Sequence, residues 1–444
     1  MGNGVYDSAF NDVVKMLYLQ RCGYEIPTDK GGDFAHPACH TSKATIYGTS
    51  TKIDVTGGWH DAGDYGRYVA PGAKTVADLF LAYEMNPSAF SDSTGIPESG
   101  NKVPDVLDEA RYELEWMLKM QDKTSGGVYH KVTCANFPGM VMPQDEKDEL
   151  IVSPVSVTAT EDFAAVMAMS SRIFAKTDKT FSDKCLKASQ KAFDYVEKLT
   201  AKDGFKNPSG IVTGEYPDSV SRDERFWAAA ELFRSTHEKK YHDIVKDQIQ
   251  SALPEGLGWA DMGYYGSMAY LNTDKSLVDK TIYDKIKNQI LDKAKEILKK
   301  SKSDGYFISM GDKYPWGSNM TVANNAELLI MADYIEPNGE YIQSAREHLH
   351  YLFGRNPMAI SYVTGYGTVS PVNTHHRPSV ALGKTMPGML VGGPDSSLED
   401  PFAKKVLAGQ PAAKCYADNS QSYSTNEITI YWNSPLIVMM SELK

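Results

Sequence analysis

The feature that most restricts what this chain can fold into is its helical periodicity. Apolar residues recur at three- and four-residue intervals along most of its length, which lines them up on one face of an α-helix. In the first such segment the stripe is Phe10, Val13, Val14, Leu17 and Tyr18. The pattern predicts helices over residues 6–20, 71–84, 103–121, 159–176, 182–200, 222–235, 241–251, 265–271, 277–300, 320–334, 340–353 and 427–441. Strand signal between them is weak. About twelve helices in succession, without a fixed sequence period, suggest six helical hairpins closed into a ring, an all-α (α/α)6 barrel. An open helical solenoid is the competing architecture. No Ser/Gly-rich or Pro-rich linker divides the chain, so residues 1–444 read as one domain.

Three connections are too long to be simple turns: residues 22–69, 135–157 and 354–426. Connections beyond about 15 residues in a compact domain are usually functional or disordered. These are rich in Gly, Pro, His and aromatics, which suits ordered, ligand-lining loops gathered at one end of a barrel. Charge limits the ligand. A formal net charge of −11 argues against nucleic acid or an anionic membrane surface as partner. An apolar run of about 18 residues, enough to span a membrane, is absent. The opening MGNGVYDSAF is not a signal peptide, so the chain is either intracellular or a mature or trimmed module; the second is favoured, and the chain reads as a monomer.

The first loop ends in GGWHDAGDYGRYV, residues 57–69. It sets Asp61 and Asp64 three residues apart among glycines that permit tight turns and the approach of a bulky ligand. Two carboxylates aimed at one spot can activate a water or bind a metal, though an Asx-rich surface turn is the commoner outcome. The last loop runs into YADNSQSYSTNEITIYWNS, residues 416–434. Glu427 is expected just inside a helix start, with Ser424, Thr425 and Asn426 as possible caps. Tyr423, Tyr431 and Trp432 flank it. A carboxyl walled by aromatics has a raised pKa and suits a general acid. Two carboxylates with split roles are what glycoside hydrolysis requires. In the segment THHR, His375 and Arg377 alternate and so point to one side of an extended chain. There they could bond sugar hydroxyls or orient a carboxylate.

These stretches together resemble the catalytic module of glycoside hydrolase family 9, the inverting cellulases. Tyr416, Asp418, Tyr423, Glu427, Thr429, Asn433 and Ser434 fit every position of that family's carboxy-terminal signature. The resemblance implies Glu427 as general acid, with Asp418 supporting the site. It implies Asp64 as catalytic base, with Asp61 holding the same water. The histidine motif fits at Ser361, Val363, Thr364, Gly367, His375 and Arg377 but departs at Val369 and Thr374. The likeness extends over about residues 6–441 through segments such as KVPDVLDEARYELEWMLKMQ, RDERFWAAAEL and YPWGSN. It implies the same (α/α)6 barrel. Cys22, Cys39, His40 and the WHDAGD run further resemble the subgroup whose module follows an immunoglobulin-like domain.

Five cysteines are too few, and odd in number, for a disulfide framework. Cys22, Cys39 and His40 instead offer three ligands of a structural zinc site. His60 is the expected fourth and His36 the alternative. Asp223, Glu224 and Asp261 are expected to hold calcium, which the family often binds near such a position. Aromatic faces stack on glucose rings. Trp316, Trp259 and Tyr423 are the candidates here, Trp59 lies near the base motif, and Trp227 is more consistent with core.

The reading is a secreted endo-β-1,4-glucanase acting on β-1,4-glucans or cello-oligosaccharides. Secretion is inferred from the insolubility of cellulose. Asp61, Asp64 and Glu427 carry the chemistry; His375 and Arg377 grip the sugar; no organic cofactor is needed. The alternatives are an exo-acting relative that releases glucose, cellobiose or glucosamine, a catalytically silent glucan-binding protein, and a metal-dependent hydrolase using Asp61, Asp64 and His60 as ligands.

Overall fold

The computed structural model describes residues 4–199 and 204–443. Among these residues, twelve helices of nine residues or more alternate between two environments. Six are buried on nearly every side: Val69–Met85, Val157–Ile173, Arg222–Thr236, Gly263–Leu271, Ser318–Ile335 and Ile430–Leu443. Apolar and small residues dominate most of them, and their few charged side chains, such as Lys74, Asp78, Asp162 and Glu224, are buried as well. The six between them in sequence are amphipathic: Asp7–Leu19, Asp105–Met120, Lys179–Val196, Lys239–Gln248, Lys280–Ser303 and Gly339–Leu352. Each turns one apolar stripe inward and a charged face to water.

The buried helices form an inner ring. Val69–Met85 packs on Val157–Ile173, which packs on Arg222–Thr236, which packs on Gly263–Leu271. Lys280–Ser303 leads on by packing against both Gly263–Leu271 and Ser318–Ile335. Ser318–Ile335 then packs on Ile430–Leu443, which closes back on Val69–Met85. The ring is the expected (α/α)6 barrel, and the closing contact removes the open solenoid. The expected helix over 182–200 begins at Lys179 and ends at Val196; residue 200 lies outside the described residues.

Two of the long loops are stitched by short strands. Lys52–Ile53, Ala44–Ile46, Ile151–Val152, Lys131–Thr133 and Arg67–Tyr68 pair in that order, with the Ala44–Ile46 and Ile151–Val152 pair parallel and the others antiparallel. Val128–Tyr129 pairs with Val155–Ser156. The sheet is small, but it fixes the loop carrying Asp61 and Asp64 against the loop that follows Thr133.

Candidate active site

The inner helices present their N-terminal ends to one face, and the segments entering them line a cleft of about 400 Å³. Asp61 and Asp64 precede Val69, Tyr216 precedes Arg222, Trp259 precedes Gly263, Trp316 precedes Ser318, and Glu427 precedes Ile430; all line the cleft. Helix N-termini are where negative charge is most easily held.

The turn holding the two aspartates is closed on itself and tied to the last helix. The Asp61 N–H donates to the Gly66 carbonyl (2.9 Å), and the Asp61 carbonyl accepts from the Ile430 N–H (2.8 Å). Asp64 accepts from the Gly66 N–H at 3.1 Å. Gly63 is obligatory, because a Cβ there would lie 2.0 Å from the His375 carbonyl oxygen and 3.4 Å from the Glu427 carboxylate. The turn therefore sits directly on the strand-like segment that carries the acid.

Glu427 is not inside a helix start, as the sequence suggested. Ser424, Thr425 and Asn426 form the end of a four-residue helix, Tyr423–Asn426, and Glu427 follows it in extended backbone. Its helix begins three residues later at Ile430. Extended backbone lets Glu427 pair with His375 and turns its carboxyl into the cleft beside Tyr431 and Trp432. Burial, the charge of Asp64 and that of Asp61 hold this carboxyl well above the usual range, against the opposing pull of Arg377 and the Gly63 N–H. Asp61 is likewise pushed well above its ordinary value, chiefly by burial. Its Oδ2 accepts a hydrogen bond from the Tyr216 hydroxyl, while its Oδ1 is buried without a partner among the described residues.

Sequence reasoning missed Tyr216. Its φ of 48° is left-handed, unusual for an aromatic residue, and it brings the hydroxyl onto Asp61. The loop that imposes this is held by Lys131, a buried ammonium donating to Thr213 Oγ1 (3.0 Å) and the Gly214 carbonyl (2.6 Å). Burial lowers the Lys131 pKa to about 8, with the charge of Asp64 opposing. Neither residue belongs to a motif. Nothing in the local sequence marks either residue, since the strand around Lys131 is simply Lys131–Thr133.

The other expected substrate contacts divide. Trp316 and Trp259 line the cleft. Tyr423 stands behind Trp316, ring centres 5.5 Å apart, and against His375. His375 Nδ1 donates to the Ser420 carbonyl at 2.6 Å, and burial lowers its pKa, so the neutral ring keeps Nε2 as an acceptor. Arg377 is committed to protein: Nε donates to the Pro138 carbonyl (3.0 Å) and Nη1 to that of Gly63 (2.9 Å). Through these two bonds it braces the aspartate turn. Asp418 also braces, accepting from the Val372 and Asn373 N–H groups, both at 2.9 Å, and from Asn426 Nδ2 at 3.0 Å. Trp59 and Trp227 are core. The Trp59 indole donates to Glu109 at 3.2 Å, and Trp227 packs on Tyr265.

The Cys/His residues do converge. One ligand atom each from Cys22, Cys39, His40 and His60 lie within 4.8 Å of one another. His36 is excluded from the group; its Nδ1 donates to the Pro37 carbonyl at 2.8 Å. The chemistry of the donors suits a metal. His40 Nε2 bonds Glu146 at 2.8 Å, and His40 Nδ1 is buried with no hydrogen-bond partner among the described residues, leaving it as the atom offered to the cluster. Because His60 turns this way, it is not available to a metal centre built on Asp61 and Asp64.

Asp223 and Glu224 sit beside two acids the sequence reading did not single out, Asp162 and Asp218. Asp162 and Glu224 are fully buried, and no donor among the described residues reaches their carboxylate oxygens. Burial, then mutual repulsion, holds both well above their usual values and lifts Asp223 to about 6. Asp223 accepts from the Met262 N–H at 2.6 Å. Asp261 is exposed, and the charge of Asp218 reaches it.

Comparison with known proteins bears directly on this cleft. Residues 6–440 match the family model described as Glycosyl hydrolase family 9. Endoglucanase D of Acetivibrio thermocellus is 37% identical over 98% of this chain and 69% of its own length. A cellodextrinase of Butyrivibrio fibrisolvens is 36% identical over 99% of this chain and 84% of its own. A crystal structure of a single-mutant thermostable endoglucanase from Alicyclobacillus acidocaldarius superposes with a TM-score of 0.95 at 38% identity, covering 99% of this chain and 84% of that one.

Proposed function

This chain belongs to glycosyl hydrolase family 9, and we propose that it is an endo-β-1,4-glucanase that cleaves its substrate with inversion. The observation that carries the reading is the meeting of Asp61, Asp64 and Glu427 in one aromatic-walled cleft, where burial and the charges of Asp64 and Asp61 raise the Glu427 carboxyl well above its usual range. Glu427 protonates the leaving glycosidic oxygen. Asp64 takes a proton from a water attacking the opposite face of the ring, and Asp61, fixed by Tyr216, holds that water. A single displacement with separate acid and base inverts the anomeric centre. His375 Nε2 accepts from a sugar hydroxyl near the scissile bond. Trp316 and Trp259 stack on neighbouring rings.

The Cys22, Cys39, His40 and His60 donor set fits a closed zinc site. A carboxylate behind a metal-bound histidine, as Glu146 stands behind His40, is the usual outer support. Bound zinc would brace the first loop and take no part in the chemistry. The same donor set supports membership of the subgroup that carries an immunoglobulin-like domain. Asp162, Asp218, Asp223, Glu224 and Asp261 offer hard oxygens suited to calcium. The polymeric substrate supports secretion; among the described residues no helix is long and apolar enough to cross a membrane.

An exo-acting or oligosaccharide-trimming role is the second reading, favoured by the resemblance to a cellodextrinase. Carboxymethylcellulose separates the two. Endo cleavage drops its viscosity steeply for each reducing end formed; exo action releases reducing sugar with little loss of viscosity. Failure to cleave any soluble β-1,4-glucan or cello-oligosaccharide contradicts both.

A further inference from the structure

One aromatic ring of the cleft comes neither from a helix end nor from a family signature. Phe137 lies in the loop after the strand Lys131–Thr133 and lines the cleft wall while remaining 46% exposed. A phenyl ring has no polar atom to use there, and exposing it forfeits hydrophobic stabilisation. The loop that shows it is not loose. The Ala135 carbonyl accepts from the Val212 N–H at 2.9 Å. The Pro138 carbonyl accepts from Arg377 Nε at 3.0 Å, and the guanidinium lies 5.7 Å from the centre of the Phe137 ring. The Val141 carbonyl accepts from the Tyr65 hydroxyl, next to Asp64. Further on, Glu146 bonds His40 of the Cys/His cluster.

Building on the glucanase reading, we propose that Phe137 is a sugar-stacking platform of the cleft, and that its position is set by the Cys/His cluster through Glu146. An apolar face held at fixed height on a cleft wall matches the C–H face of a β-linked pyranose ring. The four anchors supply the rigidity that stacking needs, since a platform ordered only on binding loses affinity to its own entropy. Glu146 and His40 touch no sugar, yet releasing them frees one end of the segment that carries the ring.

The test uses Glu427→Gln protein, which retains the cleft with turnover slowed at least about a hundredfold, and measures cellohexaose binding by titration calorimetry in the cold. Adding Phe137→Ala is expected to weaken binding about three- to tenfold, the range for one aromatic contact, and Phe137→Trp to retain it. Glu146→Gln is expected to weaken binding by a similar factor, with no further loss when combined with Phe137→Ala, because both remove one contact. Parent-like affinity in Phe137→Ala overturns the platform. Penalties that multiply in the double variant overturn the link to the cluster. If Glu427→Gln protein binds no cello-oligosaccharide at all, the glucanase reading itself fails, a result distinct from either.

Discussion

At the scale of single residues, the account depends on one carboxyl being protonated where ordinary carboxyls are not. Glu427 is raised by burial first and by Asp64 and Asp61 next. The folded protein therefore keeps a proton that the unfolded chain has already released above the usual carboxylate range. Linkage then fixes the sign: stability from this group is full below the unfolded pKa and is lost as pH rises through the folded one. Glu427→Gln removes the dependence. Its melting temperature should exceed the parent's by a margin that widens from about pH 5 to about pH 8, while kcat falls about 10²- to 10⁴-fold. A margin that stays constant with pH contradicts the protonated acid. The identity of Glu427 was legible in its aromatic neighbours, but its backbone was not. Ser424 to Asn426 look like caps, yet they complete a separate short turn of helix, because Glu427 must be extended to pair with His375. Tyr216 was illegible for a different reason. Its contact with Asp61 depends on a left-handed backbone, which a Tyr does not advertise.

At the scale of elements, the long loops do the positioning and the helices supply fixed ends. The first loop folds around Cys22, Cys39, His40 and His60. The thiols and imidazoles stood out in the sequence by type, whereas Glu146 comes from 106 residues beyond His40 and no spacing rule reaches that far. Arg377 shows a part that spacing does not reveal: besides any contact with sugar, its Nε and Nη1 hold the carbonyls of Pro138 and Gly63. Metal removal should therefore act on stability before chemistry. EDTA is expected to lower the melting temperature, with zinc and calcium each restoring part of the loss. A metal at a thousand times its Kd contributes about 4 kcal/mol. Cys39→Ser should abolish the zinc-dependent part and Glu224→Gln the calcium-dependent part. No change in melting temperature on chelation, with no metal in the protein by elemental analysis, contradicts both sites.

At the scale of the whole molecule, the barrel was readable because about twelve helical segments follow one another without a dividing linker. Their sorting into rings was not: six are buried on nearly every side, charged residues included, while six keep a face to water. Hidden from sequence was the pin inside. Lys74 and Asp78 pair within Val69–Met85, and Asp78 also accepts from Tyr265 and from Ser434 Oγ (2.6 Å). One buried carboxylate thus ties three inner helices together, and removing Lys74 leaves its charge unpaired in the core. That rigid ring brings the N-terminal ends of separate helices to one cleft, where Asp64 and Glu427 stand on segments far apart in sequence. The most direct test of that arrangement is time-resolved proton NMR of cellopentaose mixed with the protein, read before mutarotation mixes the anomers. Inversion by Asp64 and Glu427 predicts that α-anomer signals appear first. Initial β-anomer would mean retention through a protein nucleophile, and would contradict the mechanism.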